Sequence, residues 1–338
     1  MIRESLSKII RRQDLSEEEM SGLIGEIMSG GATDAQIGAV LGALATKGET
    51  FAELAGAARA MRRKAARIQT NADVVVDTCG TGGDSLHTFN ISTTAAFVVA
   101  GCGVTVAKHG NRSVSSKCGS ADLLESLGVN LEVGPEVVEE AVRELGIGFL
   151  FAPLFHGAMK YAARARKELG VRSIFNMLGP LTNPAGANCQ LIGVYRPELT
   201  EMFAQALKLL GARRALIVHG HEGLDEISVC APTRVAELND GSIRTYDLTP
   251  EQLLGRTAEP QDMVGGNPAE NAVITRRILE GEQGPKRDVV VVNAGAALVA
   301  AGVARSIPEG IGMAEASIDE HRAMGKLEAL ARFTNDNQ

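Results

Sequence analysis

Two glycine-broken loops carry the residue types of an anion site. The first is Asp77-Thr78-Cys79-Gly80-Thr81-Gly82-Gly83-Asp84, and the second is Lys108-His109-Gly110-Asn111-Arg112-Ser113-Val114-Ser115-Ser116. Each follows an apolar, β-like run, Val74-Val75-Val76 in one case and Val104-Thr105-Val106 in the other. Glycine lets backbone N–H groups point inward at an anion, where a Cβ would collide with a closely seated phosphate. A lone Gly-Thr-Gly-Gly is more often a plain turn, and no Gly-Lys-Ser/Thr follows to make a Walker loop. Two such loops at the ends of neighbouring strands can instead cradle a substrate with two separated phosphate clusters.

The surrounding residues extend that chemistry. Asn90-Ile91-Ser92-Thr93 precedes an apolar helix and reads either as simple capping or as an anion site at a helix N-terminus. Asp84 beside an anion loop is unfavourable unless a cation such as Mg²⁺ lies between. Lys108, His109 and Arg112 put cations among hydroxyls, and Ser120 is expected to cap the helix starting at Ala121. Asp225-Glu226 follows the strand candidate Ala215–Val218, where adjacent acids suit either a surface turn or Mg²⁺. His156 and Arg166 lie apart from these loops. A single His on a helix is more often structural, and Arg166 needs a carboxylate ligand to be more than a surface cation.

Positioning these groups requires two kinds of architecture. Residues 1–67 read as helical, with Ile2, Leu6, Ile9 and Ile10 assigned to one face. Ser16-x-x-Glu19, Thr33-x-x-Gln36 and Thr50-x-x-Glu53 are capping boxes that open three more helices. From about residue 72 the pattern alternates. Strands are expected at 73–77, 103–107, 147–151, 190–195, 214–219 and 288–293, and helices at 92–101, 120–127, 135–145, 197–210, 268–280 and 295–302. That alternation predicts an α/β fold: a small N-terminal helical bundle (1–70) and a large α/β domain (71–338) with a mostly parallel central sheet flanked by helices. Residues 156–184 interrupt it, first polar-helical and then an ordered Pro- and Asn-rich loop. They are expected to pack near the bundle and wall the cleft. Both glycine loops fall at the C-terminal strand edge, where such sheets bind ligands.

Composition narrows the partners. The 338 residues are 45% hydrophobic, enough for a real core, and carry a net charge of −7 with no basic tail. This argues against nucleic acid as the main partner. Cys79, Cys102, Cys118, Cys189 and Cys230 show no metal-ligand spacing, and the N-terminus lacks a secretory apolar segment. No apolar run reaches the roughly 20 residues a bilayer requires. The expectation is a cytoplasmic protein with no membrane partner.

Together the motifs at Asp77–Asp84, Phe89–Thr93, Lys108–Gly128, Arg166–Asn183 and Gly223–Glu226 resemble the anthranilate phosphoribosyltransferase family over essentially the whole chain. The last third is matched diffusely, through Asn267-Pro268 and Asn293-Ala294. The resemblance implies two small-molecule substrates, 5-phosphoribosyl-1-pyrophosphate and anthranilate, with Mg²⁺ as cofactor and a homodimer formed through the helical domain. It implies that Gly80, Gly83, Asp84, Thr88, Asn90, Ile91, Ser92 and Thr93 line the donor site. Lys108, His109, Gly110, Asn111, Arg112, Ser113, Val114, Ser115, Ser116 and Ser120 contact the same donor. Asp225, Glu226 and Ser92 hold the metal. Gly80, Asn111 and Arg166 bind anthranilate, with His109 and His156 near it. Lys108, Asp225 and Glu226 act electrostatically, and no residue is implied as an acid or base. Gly157 and Arg164 stand where the family often has Pro.

Two rivals share this scaffold, a pyrimidine-nucleoside phosphorylase and a non-enzymatic nucleic-acid-binding paralogue. The His109-Gly110-Asn111 triplet and the Asp225-Glu226 pair argue against the first. Net charge and the intact acids argue against the second.

Overall fold

The computed structural model of the chain describes residues 1–84, 86–113 and 117–337. Four helices open it: α1 (Ile2–Ile10), α2 (Glu17–Ile27), α3 (Asp34–Lys47) and α4 (Phe51–Lys64). All three capping boxes form as the spacing predicts, with Ser16, Thr33 and Thr50 each accepting from the backbone three residues on. Ile2 and Ile9 are buried, but Ile10, assigned to the same face, is 66% exposed. Successive helical residues point about 100° apart at 3.6 per turn, so neighbours at 9 and 10 cannot both face the core.

Seven strands follow in one sheet: β1 (Val75–Gly80), β2 (Thr105–Gly110), β3 (Ile147–Phe151), β4 (Cys189–Gly193), β5 (Arg214–Gly220), β6 (Thr233–Asn239) and β7 (Ser242–Leu248). Their order is β3-β2-β1-β4-β5-β6-β7. Pairings from β3 through β5 are parallel, and those of β6 and β7 are antiparallel. The chain builds outward from β1 in one direction, then resumes at β4 on the other side. The switch point therefore lies between β1 and β4, where Gly80 pairs with Gly193. A ligand crevice is expected at such a point, outside the strand C-termini.

The hairpin β6–β7 is absent from the sequence-based expectation. Its signal was Asp240-Gly241, both at positive φ (45° and 85°), as a two-residue type I′ turn requires. The opposite error falls at 288–293. This apolar run is not a strand but the middle of a helix, Pro285–Ala301, which absorbs the expected helix 295–302 as well. Val289, Val290, Val291 and Val292 are all buried, so no face alternates. A short run buried all round looks the same as strand or helix, and only the neighbours decide.

The two sheet faces divide the core by the strand period of two. Leu216 and Val218 join the cluster built on α5 (Ile91–Gly101) and Pro285–Ala301. Ala215 and Ile217 join a second cluster that also contains the apolar sides of α2, α3 and α4. The excursion 156–184 enters this second cluster through Ala162, Ala165, Ile174, Phe175 and Leu181. Its second half is not an irregular loop but the short helix Phe175–Leu178 and a 3₁₀ turn at Gly179–Leu181. The bundle, the excursion and one sheet face thus share one apolar interior. Among the described residues no helix is long and apolar enough to cross a membrane.

Glu53 pins the bundle. Its fully buried carboxylate accepts from Leu15 N at 2.9 Å, from Thr50 N at 2.8 Å and from Lys47 Nζ at 2.9 Å. Without Glu53 the Leu15 and Thr50 N–H groups lose their acceptor, while Lys47 keeps Asp14 at 2.7 Å. Glu53→Ala is expected to destabilise the protein by about 2 to 3 kcal/mol, the cost of leaving two donors unsatisfied, read as a lower midpoint in urea denaturation.

Candidate active site

The acid turn is forced into the β1/β4 crevice by close backbone packing. The Asp225 carbonyl lies where a Cβ of residue 193 would stand, and Asp225 Oδ2 lies where a Cβ of residue 80 would stand. Only glycine fits at 193, where the obstruction is backbone, and any side chain at 80 would push the Asp225 carboxylate aside. Asp225 Oδ2 then accepts from Gly82 N at 2.9 Å. Glu226 Oε1 accepts from Ser92 N at 3.3 Å, in the first turn of α5. The plain capping reading of Asn90 fails, because its side chain makes no cap hydrogen bond. Its amide instead donates to Cys118 O at 3.2 Å and accepts from Asn271 Nδ2 at 3.0 Å.

The acids lie close together and short of a counter-ion. Burial, then the nearby Asp84, pushes the Asp225 carboxyl above its ordinary range. Burial and Asp225 push Glu226 up, with Lys108 opposing. A divalent cation would relieve both. The oxygen-only donors fit Mg²⁺. Among the described residues no three His, Cys, Asp or Glu side chains form a complete cage. Mg²⁺ does not need one, since it takes one or two carboxylates and completes its shell with water and substrate phosphates.

The second loop leaves β2 beside the first. Lys108, only 4% exposed, sends Nζ to the Thr78 carbonyl of β1, so one side chain ties the two loop-bearing strands. Buried Asp77 lies within charge range of Lys108, which counters the upward push of burial on its carboxyl. It also accepts from His109 N at 3.2 Å and Asn183 Nδ2 at 2.8 Å. Ser120 is the first residue of the helix Ser120–Ser126 and not its cap. Gly119 takes the cap position, and Ser120 Oγ donates to Asn111 O at 3.2 Å. Arg112 points its exposed charge at acids, with Nη1–Asp122 at 3.2 Å and Nη2–Glu125 at 2.8 Å. Ser113 N donates to Asp122 at 3.0 Å. Of the predicted donor contacts, Val114, Ser115 and Ser116 lie outside the described residues. Ile91 and Thr93 are buried. Thr88 pairs with Val264 at the rim.

A third, less polar wall comes from the excursion. His109 and His156 rings face each other with centroids 5.0 Å apart. His109 Nδ1 meets the Gly179 carbonyl at 3.1 Å. Among the described residues, Nε2 of each ring is buried without a hydrogen-bond partner. Burial depresses both imidazoles, His109 to about 3 and His156 to about 4, so both are neutral near pH 7. Half-buried Arg166 stacks on Phe175, 5.0 Å from the ring centroid. Burial lowers its pKa, and no acid compensates. The wall thus offers one cation and two neutral rings, as an aromatic carboxylate would require.

Comparison with known proteins identifies the family. A glycosyl transferase family helical-bundle model matches residues 3–65, and a glycosyl transferase family a/b-domain model matches residues 72–324. The chain is 73% identical over 337 residues to an anthranilate phosphoribosyltransferase of Syntrophobacter fumaroxidans, covering 100% of each. The chain belongs to the anthranilate phosphoribosyltransferase family. The crystal structure of the family member from Thermus thermophilus superposes with a TM-score of 0.93 at 45% identity, covering 98% of this chain and 99% of that one. The family member from Saccharomyces cerevisiae, in complex with PRPP and Mg, gives 0.90 at 29% identity, covering 99% of this chain and 98% of that one.

Three positioning residues were given no role from sequence, although Asn293 was named in the family resemblance. Asp77 was quoted only as part of its loop. Asn271 orients Asn90, and its Oδ1 also accepts from Gly266 N at 2.7 Å. Buried Asn293 brackets the backbone of Ile227, accepting from its N–H and donating to its carbonyl at 2.9 Å each. It thereby fixes the chain directly after Asp225-Glu226. An Asn inside a wholly apolar helical run is the signal that could have found it, since a buried amide must be hydrogen-bonded.

The depressed histidines set a pH dependence. Their folded values lie below the unfolded value of about 6.5, so the unfolded chain binds more protons in between. The stability they contribute is present above pH 6.5 and is lost as pH falls toward 4 and 3. Raised Asp225 and Glu226 act with the opposite sign over the same range, so the imidazole contribution is read as a difference: from pH 7.5 down to 5 the urea midpoint of the wild type is expected to lose ground relative to that of His156→Asn.

Proposed function

We propose that the chain transfers the 5-phosphoribosyl group of 5-phosphoribosyl-1-pyrophosphate to the amine of anthranilate, releasing pyrophosphate, as a Mg²⁺-dependent enzyme of tryptophan biosynthesis. One observation carries the reading. An anion loop, Gly80–Gly83, is hydrogen-bonded directly to a half-buried, under-compensated acid, Asp225, at the switch point of a parallel sheet.

In this reading residues 1–70 form the helical domain and 71–338 the donor-binding domain. Gly80, Gly83, Asp84, Thr88, Asn90–Thr93, the Lys108–Ser116 loop and Ser120 receive the donor. Asp225, Glu226 and Ser92 would hold Mg²⁺, which when bound supplies positive charge for the departing pyrophosphate. Lys108, between Asp77 and Glu226, adds a fixed cation at the same place. Arg166 grips the anthranilate carboxylate, and Asn111 and Gly80 border the same ligand. The unpartnered Nε2 atoms of His109 and His156 offer it neutral hydrogen-bonding positions. The C1–O bond to pyrophosphate breaks as the C1–N bond forms, the ring carrying positive charge in between, and the proton that the amine nitrogen sheds passes to the departing pyrophosphate or to water. An aromatic amine is already neutral near pH 7, so no strong base is required. The chain's task is to orient the amine and exclude water.

The same reading places the protein in the cytoplasm as a homodimer through the helical domain, with nucleic acid and membrane excluded as partners. Ile10 and Phe51, exposed apolar residues of α1 and α4, support the choice of surface. Light scattering should return twice the chain mass, and a monomer would refute this part.

The decisive assay follows loss of anthranilate fluorescence on adding 5-phosphoribosyl-1-pyrophosphate, with and without Mg²⁺. Loss is expected only with the metal. Asp225→Asn and Glu226→Gln should each lower kcat by roughly a hundredfold or more, and His156→Asn by much less. The reverse order would overturn the electrostatic mechanism. Arg166→Ala should raise the KM for anthranilate about tenfold with little change for the donor, and equal rises would remove its assignment.

A further inference from the structure

Arg172 lies in the excursion, yet it ends on the first glycine loop. The helix Lys160–Leu169 before it is anchored in the bundle's apolar cluster by Ala162 and Ala165, and Ile174 and Phe175 anchor the chain after it. From that base Arg172 Nη2 donates to the Gly83 carbonyl at 2.6 Å. Its guanidinium carbon stands 4.4 Å from the centroid of the Tyr195 ring. Tyr195 N donates to Thr81 Oγ1 at 3.2 Å, so the aromatic platform is itself tied to the loop.

Three features together mark this arginine; Arg196 shares the Tyr195 ring at 5.2 Å but has no contact to the glycine loop among the described residues. Among the described residues its polar and ring contacts are the Gly83 carbonyl and Tyr195, with no carboxylate. Arg112, Arg164 and Arg244 each meet acids. Stacking on an aromatic ring fixes the plane of the guanidinium while leaving its in-plane N–H donors free to bond. The loop it touches is one whose glycine at 83 permits the approach, since a Cβ there would stand 2.6 Å from Arg172 Nη2. A fixed, uncompensated, forked cation beside an anion loop matches a phosphate oxygen in charge and geometry.

We propose that Arg172 is a donor-binding residue, gripping a phosphate oxygen of the diphosphate seated on Gly80–Gly83 and reaching it from the helical side of the cleft. This rests on the donor-site reading above. The contact adds positive charge where the leaving group accumulates negative charge. It also makes occupation of the loop bridge the excursion and the sheet.

Arg172→Gln separates the proposal from a purely structural role. Glutamine keeps an amide N–H for the Gly83 carbonyl but carries no charge. Titration calorimetry with Mg²⁺ and inorganic pyrophosphate is expected to show binding weakened about tenfold or more in Arg172→Gln. The KM for 5-phosphoribosyl-1-pyrophosphate should rise by a similar factor, and that for anthranilate should stay within about twofold. Arg172→Lys, a point charge without the fork, should recover part of the loss and stands in should the Gln variant fail to fold. Unchanged pyrophosphate affinity and donor KM in Arg172→Gln would overturn the proposal and leave Arg172 a latch on Gly83. A rise in anthranilate KM alone would overturn it too. If the wild-type protein binds no Mg²⁺–pyrophosphate, the donor-site reading falls and takes the proposal with it, which distinguishes the two failures.

Discussion

The site depends on one close approach of backbone to backbone. At the switch point, Gly80 and Gly193 end adjacent strands, and the Asp225 turn packs into the space their missing side chains leave. Any Cβ at 193 would expel the Asp225 carbonyl. Because that turn is seated, its carboxylate reaches Gly82 N and its neighbour Glu226 reaches Ser92 N. Asn293 secures the turn from behind by satisfying both polar groups of Ile227. The anion loop, the acids and the first turn of α5 are therefore one unit, held by main-chain geometry more than by side-chain packing.

Charge is sorted around that unit. Acids collect under the first glycine loop, where burial and mutual repulsion hold them above their usual range. Lys108 and Asp77 balance one another between the two loop-bearing strands. The far wall is different in kind, with two imidazoles kept neutral by burial and one guanidinium without an acid. A polyanion with its cation and an aromatic carboxylate have opposite needs, and the cleft meets them on opposite sides.

The excursion 156–184 joins the two architectures. Its apolar residues belong to the interior that the bundle shares with one face of the sheet. Its polar groups point the other way, toward the cleft: Gly179 to His109, Asn183 to Asp77, Arg172 to Gly83. The bundle acts on the site through this segment, which explains why a helical domain with few catalytic residue types is part of the enzyme.

Much of this was legible in one sequence. The three capping boxes, both glycine loops, the acid pair and the alternation of strand and helix are local signals, and local sterics and hydrogen bonding suffice to decide them. The turn signal Asp240-Gly241 was equally local and was overlooked. What the chain order cannot carry is which strands become neighbours. That decided the switch point between β1 and β4, the partner of each loop and the pairing of Asp77 with Lys108. It also decided the fate of Val289–Val292, a run compatible with strand or helix until burial on every side selected helix. Arg172 was not named from sequence, His156 and Arg166 were as ready to be structural as functional, and His109 was counted among the cations of its loop. Only the packing of distant segments took water and counter-charges away from some of them and set others beside a ligand loop. Residue types and spacing determine which chemistry is possible, and the tertiary arrangement decides which groups are left with charge or hydrogen bonds to give.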